Sequence, residues 1–165
     1  MSEFRAVQPG LIGMQGIDET STTQKHALGM IVKAKDYATT AYGEGEFVYA
    51  KGVASTVVGS WVIIGDSGTT ALAAADGVGP VGVAMSINVA NQYGWYQIGG
   101  TAAGKVLAGF AVTTELGYLT STAGSLDDTA VAGDNVVGAK SLTAINTPST
   151  GLAEFALTRP AVMNV

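Results

Sequence analysis

A chain of 165 residues, 47% hydrophobic and only 13% charged, has the length of one domain and enough apolar material for a core. It has too few charges to cover itself with polar groups as a lone soluble monomer. Its net charge of −5 and eight scattered basic residues exclude nucleic-acid binding through clustered phosphate contacts, and the lack of cysteine excludes disulfides and thiolate sites.

No run approaches the ~18 apolar residues of a membrane-spanning helix. An aromatic content of 7% fits an outer-membrane barrel poorly, since such barrels carry aromatic girdles. Protein is therefore the expected cover for the surface, in an oligomer or on a larger assembly. The opening residues lack the apolar core of a signal peptide, so synthesis and folding in a cytosol are expected.

Residues 1–27 differ from the rest, with Pro9, Gly10, Gly13, Gly16 and a polar run from Asp18 to Lys25. Leu11, Ile12, Met14 and Ile17 are apolar, but their spacing fits neither a helix nor a strand. The reading is an extended arm, either loose or docked on a neighbouring subunit through those four side chains. From Leu28 the signal is β, and 28–165 reads as a single β domain. Leu28–Lys35 alternates, Phe47–Lys51 is a second strand and Val57–Ile64 a third carrying Trp61. Asp66-Ser-Gly68 is a turn by composition, and Thr69–Ala75 is a short strand.

The centre of the chain is Pro80–Gly100. Val81, Val83, Met85 and Ile87 share one face of a strand, and Gly82, Ala84 and Ser86 the other, so close packing from both sides is expected. Tyr93, Trp95 and Tyr96 follow on a second strand that Gly99-Gly100 is expected to stop. Lys105–Val112 reads as the next strand, Leu116–Thr120 as a short one, and Thr122–Asp134 as a polar loop. Val136–Leu142 and Leu152–Arg159 are the last two, with Pro160 ending the second. Strands at this spacing predict an all-β, compact antiparallel barrel or jelly-roll-like sandwich.

Chemistry is scarce. His26 is the one histidine, without partners for a metal site or a nucleophilic triad. Gly77-Val-Gly-Pro-Val-Gly82 matches the letters of a dinucleotide fingerprint, but a β pattern follows it where that motif needs a helix, and Pro80 removes an N–H. Asp127, Asp128 and Asp134 form the one local carboxylate cluster, without EF-hand spacing. No catalytic, cofactor or metal residues are assigned, and no enzyme is expected. Val83, Met85, Tyr93, Trp95 and Tyr96 are expected in the core or at a subunit contact.

An ordered set of segments carries a resemblance. They are His26-Ala-Leu-Gly-Met-Ile-Val, Gly45-Glu-Phe-Val-Tyr-Ala-Lys-Gly52, Val81-Gly-Val-Ala-Met85, Gln92-Tyr-Gly-Trp-Tyr-Gln-Ile98, Gly104-Lys-Val-Leu-Ala108, Gly124-Ser-Leu-Asp-Asp128, Val137-Gly-Ala-Lys140 and Ala156-Leu-Thr-Arg-Pro160. Over roughly residues 26–163 the chain resembles the capsid decoration, or cement, proteins of tailed bacteriophages. The resemblance implies a non-enzymatic, β-rich protein made in the host bacterial cytoplasm and bound to the capsid exterior. It implies a homotrimer at three-fold and quasi-three-fold positions whose partner is the major capsid protein, with no nucleic acid, membrane or cofactor. A head-fibre or tail module that binds host glycans through the Tyr93–Tyr96 aromatics is the alternative.

Overall fold

A computed structural model describes residues 3–7, 13–111 and 116–163. These form eleven strands and no helix: β1 (Phe4–Ala6), β2 (Ile31–Asp36), β3 (Glu44–Lys51), β4 (Trp61–Ile64), β5 (Thr70–Leu72), β6 (Gly79–Ala84), β7 (Tyr93–Lys105), β8 (Leu116–Leu119), β9 (Leu126–Asp127), β10 (Asn135–Ser141) and β11 (Leu152–Val162). All strand pairings are antiparallel, in the order β1-β2-β3-β7-β6-β11-β10-β8-β9, with β4 and β5 branching from β6. The path ends at β1 and at β9, so the sheet is not a closed barrel. Of the two architectures expected, the open, sandwich-like one is present. Its terminal strands are three and two residues long, and such short edges offer little backbone to a stray strand.

The sheet turns on β7. Its first half pairs with β3 from Tyr93 to Gly99, and its second half pairs with β11 from Gly99 to Lys105. Gly99-Gly100 therefore does not stop the strand, as the sequence suggested; it marks the change of partner. A bulge opposite Glu46 and Phe47 bends β7 there. Gly100 adopts φ +84°, and a Cβ on it would lie 2.3 Å from the Glu44 carbonyl oxygen. Only glycine meets both demands.

The central strand β6 is packed from both sides, as its alternation predicts, but it ends at Ala84: Met85 joins a different core and Ile87 is exposed. Val81 and Val83 enter a core with Trp61, Phe155, Leu157 and Val136. Ala84 enters another with Tyr96, Val48 and Val62. Gly82 is bare because Tyr96 lies over it: a Cβ there would sit 3.1 Å from that of Tyr96. The largest core centres on Trp61, fully buried and edge-on to Phe155 at 4.9 Å. Gly104 gives the indole its seat, since an added Cβ would stand 2.6 Å from the ring.

Three further expectations need correction. Lys105–Val112 is not a strand of its own: Lys105 closes β7, Gly109 turns the chain at φ +94°, and Val112 lies outside the described residues. Only residues 61–64 of Val57–Ile64 are extended, because 57–60 form a turn closed by the Ser60 N–H donating to the Val57 carbonyl. Pro160 does not end β11. The β10–β11 ladder skips from Val137↔Ala161 to Ala139↔Leu157, so Thr158, Arg159 and Pro160 bulge opposite Gly138. A bulge removes the ladder bond that proline could not make.

Residues 1–27 are not a free arm where they are described. β1 pairs with β2, and Phe4 packs edge-on against Phe47 at 4.9 Å. Asp36 secures this corner. Its buried carboxylate accepts the N–H of Glu3 at 2.9 Å, those of Ala38 and Thr39, and the Thr39 hydroxyl. Burial pushes its pKa up, but the bonds from Thr39, Glu3 and Ala38 outweigh that and hold it below the ordinary carboxylate value. This stabilisation is present above that ordinary value and is lost as pH falls through the depressed one. Asp36→Ala should cost about 2–3 kcal/mol near neutral pH in urea unfolding. The variant should also lose part of the wild type's acid sensitivity below about pH 4.

Candidate functional site

Of the residues singled out from sequence, Met14, Ile17, Met85, Tyr93 and Trp95 meet in one buried knot, whereas Val83 and Tyr96 belong to the two other cores. Met14 and Ile17 belong to the core formed with Val32, Phe47, Tyr49 and Trp95, and Ile17 is 1% exposed. Ile17 is thus held inside its own chain, which removes it as an exposed docking residue. Leu11 and Ile12 lie outside the described residues. Val83, Trp95 and Tyr96 are core side chains, while Met85 and Tyr93 are half-buried against the same core as Ile17. The glycan platform loses its ring faces accordingly, since Trp95 and Tyr96 are fully buried.

Gln15 ties the knot, and nothing around it in the sequence signals this, because a glutamine between glycines and a polar run looks solvated. Its backbone carbonyl accepts the Trp95 indole N–H at 3.0 Å. Its side-chain oxygen accepts the Tyr49 hydroxyl at 2.9 Å, and its side-chain N–H groups donate to the carbonyls of Glu19 and Tyr93. Its own amide donates to His26 Nε2 at 3.1 Å. A glutamine 1% exposed needs such complete satisfaction. Ser21 continues the attachment through two backbone bonds with Tyr93.

The chemical candidates resolve into structural roles. Asp134 accepts the Asp76 N–H at 2.7 Å, Asp128 accepts that of Ala111, and Asp127 accepts that of Asp128, each carboxylate holding a turn or a neighbouring segment. Among the described residues no three His, Cys, Asp or Glu side chains gather as a metal site. Gly77–Gly82 runs into β6 rather than a helix.

Two surface depressions stand out among the described residues. One, of about 450 Å³, has Gly45, Gly99 and Gly100 along its floor and the β11 bulge as a wall. Arg159, at φ +49°, reaches across it to Glu46 at 3.1 Å, and Lys33 lies 3.9 Å from the other Glu46 oxygen. Glu46 thus engages both basic side chains of this depression. The other, of about 480 Å³, is mostly apolar and carries no charged side chain; Tyr118, Val131, Asn135, Val137 and Met163 are among the residues that line it. Val131, Val137 and Met163 are each exposed by more than two-fifths. A polar loop over 122–134 gives no hint of this groove. Ala130-Val131-Ala132 was the available signal.

Comparison with protein-family models, with curated proteins and with solved structures found no match to this chain.

Proposed function

We propose that this chain is a structural virion protein that binds the outside of a tailed-phage capsid, as a trimer at three-fold and quasi-three-fold positions, and stabilises the shell against internal DNA pressure. The observation that carries this reading is the surface. A chain with 13% charged residues exposes large apolar side chains in many places, and three of them line one uncharged groove. Such a surface suits burial against other protein. The ordered motifs of the sequence direct the choice of partner to the major capsid protein.

The mechanism follows from linkage. A protein that binds only the assembled shell stabilises it by mass action. A trimer that touches several capsid subunits gains by effective concentration, so modest contacts per subunit suffice. Three copies close through heterologous, ring-forming interfaces.

The test is co-sedimentation with expanded shells assembled from the major capsid protein of the phage that encodes this chain. Saturable binding is expected, with light scattering giving three times the 16.6 kDa chain mass for the bound unit after release. Val137→Glu should keep the fold, because Val137 is exposed, and should weaken shell binding about tenfold or more, the consequence of a charge desolvated in an apolar contact. Absence of saturable binding by the folded wild type would overturn the proposal.

A further inference from the structure

We infer that His26 and Gln15 form an acid-sensitive clasp, in which protonation of the imidazole releases the segment around Gln15 from the face of β3 and β7. The geometry requires a neutral ring. Nε2 accepts the Gln15 N–H at 3.1 Å, so that nitrogen carries no proton and Nδ1 does. A proton added to Nε2 sets two donors against each other at the one backbone amide that starts the knot.

The ring's packed neighbours on β3 and β7 are aromatic and bring no formal negative charge. From β3, Tyr49 meets it edge-on at 5.1 Å; from β7, Trp95 lies 5.5 Å away and Tyr93 stacks on Tyr49 from beyond. On its own segment Lys25 adds a like charge, and the Glu19 carboxylate accepts the Gly16 N–H through one oxygen. Burial, and then Lys25, hold the His26 pKa below its ordinary value. The sign follows: a neutral-form preference stabilises the clasp at and above the ordinary histidine pKa, and this is lost as pH falls from there through the depressed value.

What opens is specific. The Gln15 carbonyl and side chain bind Trp95, Tyr49 and Tyr93, so movement of Gln15 uncovers the aromatic face that the segment covers. The Ser21 bonds to Tyr93 lie beyond the break and act as the hinge side of the clasp.

The molecule carries its own control. Its two indole N–H groups have different partners: Trp95 donates to Gln15, and Trp61 to the Lys105 carbonyl in the other core. Hydrogen exchange by NMR, corrected for intrinsic rates, should show protection at the Gln15 amide and the Trp95 indole falling about tenfold or more between about pH 7.5 and pH 5. The Trp61 indole should hold its protection. The single histidine should titrate below its ordinary value, and His26→Gln, whose amide oxygen can accept the Gln15 N–H, should abolish the pH dependence. If His26→Gln fails to fold, the wild-type contrast between the two indoles decides alone. Parallel behaviour of both indoles across this range, or a His26 pKa at or above the ordinary value, would overturn the inference.

Discussion

Trp61→Ala is expected to lower the unfolding free energy by about 4 kcal/mol, at the upper end of what buried large-to-small substitutions cost. The ring is fully buried, meets Phe155 edge-on, and lies on Gly104. Its removal leaves a cavity that the small residues around it, Ala73, Ala102 and Ala153, cannot reach across to fill. It also takes the indole N–H from the Lys105 carbonyl, bonded at 3.0 Å, and a buried acceptor without a donor adds its own penalty. For a domain of this size the melting temperature should fall by roughly 8–16 °C. Urea titrations of the two proteins measure the difference directly. A loss under about 1 kcal/mol would contradict the placement of this side chain at the centre of the core.

Gly52→Ala should be comparably severe for a different reason. A Cβ at Gly52 would stand 1.7 Å from the carbonyl oxygen of Asn88 and 2.6 Å from its carbon. Both are backbone atoms, so no rotamer change relieves the clash. The loop that follows β6 must move as a whole, although Gly52 also donates its N–H to the Gln92 carbonyl at 2.8 Å. The expected cost exceeds about 3 kcal/mol, the usual ceiling for overpacking that side chains can absorb. Gly65→Ala is the control, because its added Cβ would meet the Thr69 carbonyl oxygen at an ordinary 3.4 Å; it should change stability by less than about 0.5 kcal/mol. Equal stabilities for the two variants would mean that the 85–92 loop does not approach β3 as closely as described.

The β character of the chain was legible because alternation is a local property. Val81, Val83 and Ala84 could be assigned to opposite buried faces from spacing alone, and their neighbours agree. Local pattern failed where a residue's meaning is set by a distant partner. Gly99-Gly100 looked like punctuation, yet its bareness answers to Glu44 and Glu46 on another strand. Val106, Ala108 and Phe110 alternate as a strand would, but Gly109 turns the chain between them and Phe110 reaches the core from that turn. Pro160 looked terminal because the bulge that accommodates it depends on Gly138, some twenty residues earlier. The knot was the least legible part. Gln15 has no apolar signature, and its burial follows from five hydrogen bonds whose partners lie at Glu19, His26, Tyr49, Tyr93 and Trp95.

The place of β7 in the sheet bears on when this protein can fold. Phe47 pairs with Gln97, and Phe155 with Ala102, separations of 50 and 53 residues on either side of one strand. Pairings so remote in sequence require large loops to close before any contact rewards them, and topologies built on them fold in milliseconds to seconds rather than microseconds. A chain emerging from a ribosome can lay β3 against the first half of β7 early. The second half of that strand then waits with an unpaired edge until residues 152–162 have been made. During that interval the half-paired strand is where a chaperone, or a second nascent chain, would find its hold.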